Sequence, residues 1–418
     1  MKFIIKGGKT LNGAIDLRGF KNSATPIIAA TVLTDKTCVL NNMPRVGDVF
    51  KLLEILKSMG SKQRWISEHS VEIKNDELEP EKIDQNSLNQ IRSSILLLGP
   101  LLARFHKFKF ITPGGCKIGS RPIDTHLESL KDLGASIELD SQTGIYNAEL
   151  RELKSREVCL EEFSVTATEN LLMLGFAHSF AIKLAAIEPH VFDLIDFLRK
   201  LGMAIETGNA HSFKVGPGKS ENSKIEHSII NDPIEAGTFA ILAAATKSRI
   251  DINGIGENNL TSTLRKLKEF GVDYKIANNA LMIDGAKSVL RASKVQTMPY
   301  PGLPTDLQAL FGVLATQASG SSIIFDTLYE SRLKYIDELK KMGADVAMLD
   351  SHRAMITGPT ILRGAKIDSL DLRAGATLII AGLIAEGKTE LGNIEQIDRG
   401  YEDIDGRLRE LGADIRRV

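Results

Sequence analysis

One pattern recurs six times along the chain. It reads "LEILKSMGSK", "LESLKDLGAS", "IDFLRKLGMA", "LRKLKEFGVD", "IDELKKMGAD" and "DGRLRELGAD", with shared glycines at 60, 134, 202, 271, 343 and 412. The spacings between those glycines are 74, 68, 69, 72 and 69 residues. Each has Leu four residues before it and Leu, Met or Phe immediately before it, with two polar residues between. That is the last turn of an amphipathic helix, stopped by a glycine in the left-handed cap conformation. Repetition at this period means one supersecondary unit used six times.

A second, more apolar helix precedes it in every unit and runs into a strand. The six stretches are "TPIIAATVLTDKTCVL", "SSILLLGPLLARFHKFKFI", "ENLLMLGFAHSFAIKLAA", "GTFAILAAATKSRIDING", "LQALFGVLATQASGSSIIF" and "TLIIAGLIAEGKTELGNI". After the glycine comes strand-like alternation, as in "ASIELD" and "ADVAML". The unit is therefore helix, strand, loop, helix, strand, strand. Three units make a domain of ordinary size, and the break is expected near Ile230. The first strand, "GAIDLRG", has no partner in its own unit and is expected to pair with the other half, giving a chain that crosses twice. The domains are therefore taken as 22–230 and 1–21 plus 231–418.

Composition narrows the function classes. With 43% apolar and 25% charged residues and a net charge of −1, nothing favours nucleic acid or a membrane surface. Three cysteines argue against a disulfide framework, and no Cys/His spacing suits a metal. The start "MKFIIKGGKT" has an apolar run too short for a signal peptide, so a cytoplasmic protein is expected. Cys38 and Cys159 sit in strand-like contexts and are expected to pack as small apolar residues. Cys116 differs. It lies in "PGGCKIGSRP", with glycines before it and cations after it, and nearby positive charge favours a thiolate.

Polar residues collect at equivalent places in the repeat. At the start of the apolar helix stand Lys21 and Asn22, Arg92, Ser164 with Thr166 and Thr168, Asp232, Thr305 with Asp306, and Asp371 with Arg373. In the loop before the second helix stand Arg45, Arg121, Arg332 and Arg399. Helix starts favour anions, and arginine grips carboxylate or phosphate with a two-pronged fork. Simpler readings exist. "TDLQ" (Thr305 to Gln308) fits a capping box, Asp306 suits a helix dipole, and Glu188 could be an ordinary loop carboxylate. If the units wrap around a common axis, the polar positions converge at one end of each domain. Two such ends across a hinge would form a cleft for a multiply anionic ligand.

The motifs "KNSATPI", "RSSILLLGPLLAR", "PGGCKIGSRPIDTHL", "SVTATEN", "IEAGTF", "PTDLQA", "ESR", "DLRAGATL" and "IDRGYE" together resemble the enolpyruvyl transferases, and among them the UDP-N-acetylglucosamine 1-carboxyvinyltransferase family. The resemblance runs end to end. It implies an α/β fold of two similar domains, each of three βαβαββ-type units around a pseudo-threefold axis, an inside-out α/β barrel. It implies transfer of the enolpyruvyl group of phosphoenolpyruvate to the 3-hydroxyl of UDP-N-acetylglucosamine, with release of phosphate, the committed step towards peptidoglycan. The site would lie in the interdomain cleft, with no metal or organic cofactor. A monomer or weak homo-oligomer is expected.

The resemblance also implies roles. Asp306 would accept the sugar hydroxyl proton. Cys116, on a mobile lid, would protonate or capture phosphoenolpyruvate and would be the fosfomycin target, its pKa lowered by Lys117 and Arg121. Lys21, Arg121 and Arg399 would hold phosphoenolpyruvate. Arg92, Arg332, Asp371 and Arg373 would complete the cationic cleft. Asn22 and Asp306 would contact the sugar, and Glu188 and Thr305 would also belong to the substrate-binding set. Arg121, Pro122, Ile123, Asp124 and Thr125, with Ser164, Val165, Thr166 and Asp232, would form the nucleotide surface. Four positions depart from the family pattern: Glu162, Thr166 in place of a glycine, His190 in place of an acid, and Pro233 in place of an arginine. All lie on the nucleotide side, which makes the acceptor the less constrained part of the reading.

Overall fold

A computed structural model describes residues 1–418 apart from 115–118, 120–121, 220–221 and 256–259. All six repeat glycines have φ between +79° and +109°. Side chains with a Cβ rarely adopt that region, which is why glycine stands there each time. At Gly271 an added Cβ would also lie 2.1 Å from the Val289 carbonyl oxygen.

The glycines end the amphipathic helices Gly47–Ser58, Asp124–Leu133, Pro189–Lys200, Thr261–Glu269, Tyr335–Lys341 and Ile404–Glu410. The more apolar helices are Lys21–Ala30, Leu98–Phe105, Val165–Leu174, Pro233–Ala245, Thr305–Ala315 and Leu372–Ile384. In the second unit the sequence suggests one continuous helix. Instead a 3-10 segment, Arg92–Leu97, runs into Leu98–Phe105. Pro100 has no N–H to continue the upstream ladder. Asn170 bridges the change of winding, accepting from Gly99 N–H at 2.7 Å and donating to the Ile95 carbonyl at 3.0 Å.

The chain forms two compact units. One comprises Met1–Arg18 with Asn231–Val418; the other comprises residues 19–114 with 122–230. In the first, the helices Pro233–Ala245, Thr305–Ala315 and Leu372–Ile384 pack on one another. Small residues allow the approach: a Cβ on Gly237 would come within 2.7 Å of Leu307. Three four-stranded sheets surround them. In each, one edge strand runs parallel to its neighbour and the other pairings are antiparallel. In the other unit, Arg92–Leu97 packs on both Lys21–Ala30 and Val165–Leu174. Its second sheet, Lys107–Ile111, Ile145–Glu149 and Ser136–Asp140, has three strands. The stretch before it is proline-interrupted and forms short helical turns, Pro80–Lys82 and Gln85–Leu88, where the other units place an edge strand.

Elsewhere the parallel edge strand and its neighbour flank an apolar helix, as Glu157–Cys159 and Phe180–Lys183 flank Val165–Leu174. Two units exchange this strand. Asn12–Asp16 precedes Lys21–Ala30 in the chain but pairs with Arg249–Asn253. Lys224–Ser228 precedes Pro233–Ala245 but pairs with Thr37–Asn41. A buried carboxylate fixes each strand where it leaves its unit. Glu235 accepts from the Arg18 N–H at 2.9 Å and is paired with Arg407 at 2.5 Å. Asp193 accepts from the Ile230 N–H at 3.2 Å, from His227 at 2.9 Å and from the Ser23 hydroxyl.

Two cysteine expectations divide. Cys38 is buried in Thr37–Asn41, and burial pushes its thiol up to about 12. Cys159 is exposed, because it ends an edge strand with its side chain on the outer face. Cys116 lies outside the described residues.

Candidate active site

Three helix starts meet in the unit that carries Asp306. Asp232 is the N-cap of Pro233–Ala245 and accepts from the Ile234 and Glu235 N–H groups at 2.8 and 3.2 Å. Asp371 is the N-cap of Leu372–Ile384 and accepts from Arg373 and Ala374 N–H at 2.8 and 3.1 Å. Asp306 lies in the first turn of Thr305–Ala315. Arg373 joins them. Its Nη2 donates to Asp306 Oδ2 at 3.2 Å, and Asp232 acts on it electrostatically. From the other side Arg332 donates to Asp306 Oδ1 at 2.6 Å. One carboxylate is thus held between two buried guanidinium groups.

Burial opposes the charge on Arg332, but Asp306 and Asp371 more than offset it and its pKa is raised. Arg373 behaves likewise: burial opposes, while Tyr401, Asp306 and Asp232 favour the cation. The Tyr401 ring lies 5.1 Å from the Arg373 guanidinium carbon, and its hydroxyl contacts Thr238 at 2.8 Å. Among the described residues, Nε and Nη1 of Arg373 make no hydrogen bond of good geometry although both are buried. The Tyr401 hydroxyl interacts with this guanidinium, and donors left without a well-aligned acceptor favour an anion placed beside them. Burial pushes Asp232 up to about 7, with Arg373 opposing and Glu235 adding.

"TDLQ" is not a capping box. Pro304 occupies the cap position, and Thr305 is already helical. The Thr305 hydroxyl donates to Asp326 at 2.5 Å, and Gln308 bonds the Arg332 carbonyl at 3.2 Å and the Tyr335 hydroxyl at 3.2 Å. Arg399 is half-buried and donates to Gln396 at 3.3 Å.

In the other unit, Lys21 begins its helix and pairs with Asp48 at 2.9 Å, both largely buried. Asn22 follows it, half-buried. Arg92 donates to the Pro122 carbonyl at 2.8 Å. Pro122 and Asp124 are exposed, whereas the Ile123 side chain belongs to the core, so only its backbone is available to a ligand. Ser164 caps Val165–Leu174, accepting from Ala167 N–H at 3.4 Å. Glu188 stands at the cap position of Pro189–Lys200. Glu169, wholly buried in the adjacent helix, has its carboxyl pushed well above the usual range by burial, with Glu188 adding. Arg45 stacks on Trp65, 4.8 Å from the ring, and serves packing. Arg121 lies outside the described residues.

The family description "EPSP synthase (3-phosphoshikimate 1-carboxyvinyltransferase)" matches residues 5–408. The chain is 43% identical over 424 residues to UDP-N-acetylglucosamine 1-carboxyvinyltransferase 1 of Clostridium acetobutylicum, covering 100% of this chain and 99% of that protein. The chain belongs to the enolpyruvyl transferase family. Another relative, UDP-N-acetylglucosamine 1-carboxyvinyltransferase 1 of Carboxydothermus hydrogenoformans, is 42% identical over 419 residues, covering 100% and 98%. Among solved structures, the enolpyruvyl transferase NikO from Streptomyces tendae superposes with a TM-score of 0.90 at 23% identity, covering 100% and 98%. EPSP synthase from Acinetobacter baumannii gives 0.76 at 20% identity, covering all of both chains. These two likenesses establish the enolpyruvyl transferase fold.

Each of the four departures within this enolpyruvyl transferase is accommodated by its own surroundings. Thr166 bonds His126 Nε2 at 2.9 Å, and Glu162 accepts from Thr125 at 3.3 Å. The two contacts fasten adjacent residues of Asp124–Leu133 to the first turn of Val165–Leu174 and to the segment just before it. His190 packs edge-on against Phe20 at 5.2 Å. Pro233 occupies the first helical position after Asp232, where its missing N–H costs nothing. His126 is buried and its pKa is lowered to about 3, by burial and then by Arg92. Asp48, Asp326 and Tyr401 were not singled out as site residues from the sequence. Asp48 in "VGDVF" and Asp326 in "IIFDTL" carry no motif, and only the fold brings the one to Lys21 and the other to Thr305. Among the described residues no His/Cys/Asp/Glu group is arranged for a metal, and no helix is long and apolar enough to cross a membrane.

Proposed function

We propose that this enolpyruvyl transferase moves the enolpyruvyl group of phosphoenolpyruvate to the 3-hydroxyl of UDP-N-acetylglucosamine and releases phosphate. The observation that carries the reading is Asp306, held at 2.6 Å by Arg332 and 3.2 Å by Arg373 where three helix starts meet. The full-length relatives named for this acceptor support it.

The sugar hydroxyl oxygen bonds to C2 of phosphoenolpyruvate while a proton joins C3. The C2–phosphate bond then breaks, and C3 loses a proton to restore the double bond. Asp306 takes the hydroxyl proton. Two flanking cations fix the orientation of its oxygens. The open donors of Arg373 bind negative charge on the substrate, with Lys21, Arg121 and Arg399 on phosphoenolpyruvate. Cys116 supplies the C3 proton or captures phosphoenolpyruvate, and is the site of fosfomycin attack. Asn22, Arg92, Pro122, Ile123, Asp124, Thr125, Ser164, Val165, Thr166, Glu188 and Asp232 serve the nucleotide-sugar, Asp371 completes the site around Arg332 and Arg373, and the Thr305 hydroxyl is taken up by Asp326. The product feeds peptidoglycan synthesis in the cytoplasm, and the protein works as a monomer or weak homo-oligomer.

Phosphate release from phosphoenolpyruvate with UDP-N-acetylglucosamine, with and without fosfomycin, tests this. Release that fosfomycin blocks, and that persists under fosfomycin in Cys116→Asp, is expected, since an acid there still donates a proton. Release only with another nucleotide would overturn the acceptor. No release with any acceptor would overturn the activity.

A further inference from the structure

Asp326 is fully buried just past the end of strand Gly320–Phe325 and plays no part in the reaction above. Its Oδ2 accepts from the Thr305 hydroxyl at 2.5 Å. Its Oδ1 accepts from Leu328 and Tyr329 N–H at 2.9 and 3.1 Å and from the Thr297 hydroxyl at 3.4 Å. Its own backbone is fixed by His352, whose carbonyl accepts at 2.9 Å and whose Nδ1 contacts the Asp326 carbonyl at 2.7 Å. One carboxylate therefore ties two segments. The first is the opening turn of Thr305–Ala315, one residue before Asp306. The second is the turn at 328–329 that leads into Arg332, whose N–H returns to the Tyr329 carbonyl at 3.4 Å.

We propose that Asp326 is the positioning residue for the Asp306–Arg332 pair, acting through Thr305 and the 328–329 turn. The inference rests on the reading of Asp306 as proton acceptor. Hydrogen bonds to an ionised carboxylate are short and strong, and this one has almost no freedom of its own. The two side chains of the pair sit on separate segments, so their 2.6 Å contact is only as well defined as the link between those segments. A shift of a few tenths of an ångström at Thr305 is passed directly to Asp306. Catalytic groups need their supports locked in this way.

The test uses four variants of the full chain: Thr305→Val, Thr305→Ser, Asp326→Asn and the double Thr305→Val/Asp326→Asn. Steady-state phosphate release is measured against both substrates, with thermal unfolding alongside. Thr305→Val keeps the side-chain shape and removes only the tethering hydroxyl. It is expected to lower kcat about tenfold, with KM for phosphoenolpyruvate and for UDP-N-acetylglucosamine within about twofold. Thr305→Ser should restore kcat, because the hydroxyl returns. The double variant should be no slower than the slower single, because both break one link. Three results would overturn the proposal: an unchanged kcat in Thr305→Val, a defect confined to KM for the nucleotide-sugar, or multiplying effects in the double variant. Should Asp326→Asn fail to fold, the Val and Ser variants decide alone. Asp306→Asn is run in parallel. Full turnover in that variant refutes the proton-acceptor reading, whereas loss there beside an unaffected Thr305→Val refutes the tether.

Discussion

Arg332 donates to Asp306 Oδ1 at 2.6 Å while Arg373 takes Oδ2 at 3.2 Å, so both carboxylate oxygens are engaged by cations that solvent hardly reaches. The two contacts fix the orientation of the carboxylate. It is also the counterion that makes two buried guanidinium groups tolerable.

Asp306→Ala should therefore fail in two measurable ways. Turnover should fall by roughly 10²–10⁴, the range of a lost general base. Thermal stability should fall as well, because two buried cations lose their partner. Titration calorimetry should still detect UDP-N-acetylglucosamine binding. Turnover within a factor of two of the parent would remove Asp306 from proton transfer.

Burial disfavours the charge on Asp232 and pushes its carboxyl up to about 7. Its folded pKa lies above the unfolded value of 3.8. The folded state thus holds the proton longer, and this group's contribution to stability is lost as pH rises from about 4 to about 7. Asn caps a helix as well as Asp does and has no charge to bury. Asp232→Asn should raise the unfolding temperature more at pH 8 than at pH 5.5. A difference that does not change with pH would contradict the assignment.

His126 shows the opposite linkage. Its folded pKa of about 3 lies below the model-compound value of 6.5. Stability from the neutral imidazole is present above pH 6.5 and is lost as pH falls towards 3. His126→Gln should flatten the acid limb of the stability profile between those values. Denaturant midpoints measured from pH 7 to pH 4 will show it, and parallel curves for parent and variant would refute it.

Thr166→Gly removes the hydroxyl that bonds His126 and adds backbone freedom in the first turn of Val165–Leu174. Each change costs about 0.5–1.5 kcal/mol. KM for the nucleotide-sugar should rise several-fold, while KM for phosphoenolpyruvate stays within about twofold. An equal rise in both would place Thr166 outside the nucleotide side.

Arg407→Met leaves Glu235 buried and uncompensated. It also frees the Asp16 carbonyl, which Arg407 holds at 2.9 Å. Breaking a buried pair from one side costs about 3–5 kcal/mol. The urea midpoint should drop accordingly. A loss below about 1 kcal/mol would show that Glu235 takes up a proton instead of remaining charged.

The repeat was legible because its cause is local. Helix periodicity, the Leu four residues before each glycine and the left-handed cap are fixed by residues within one or two turns, and all six glycines have positive φ. The apolar helices were legible by composition, and Asp306, Arg332 and Arg373 by recurring at equivalent places and matching family motifs. The simpler reading of "TDLQ" as a capping box fails because the competing partners, Asp326 for Thr305 and the Arg332 carbonyl for Gln308, come from a neighbouring segment of the fold. Pro100 was visible, but its splitting of the second unit's helix depends on Asn170, 70 residues on, taking the freed groups.

The sequence by itself determined the six-fold repeat, the α/β class and the family, because short-range periodicity and ordered motifs carry them. The tertiary structure alone decided the rest. The exchange of Asn12–Asp16 was expected from its lack of a partner in its own unit; the structure added the matching exchange of Lys224–Ser228, set Arg373 among three helix starts, and gave Asp306 two cationic partners. These depend on which distant segments pack together. Burial then sets the outcome: the same residue type is an exposed charge, a buried helix cap with a raised pKa, or a carboxylate clamped by arginines, according to what the fold brings against it.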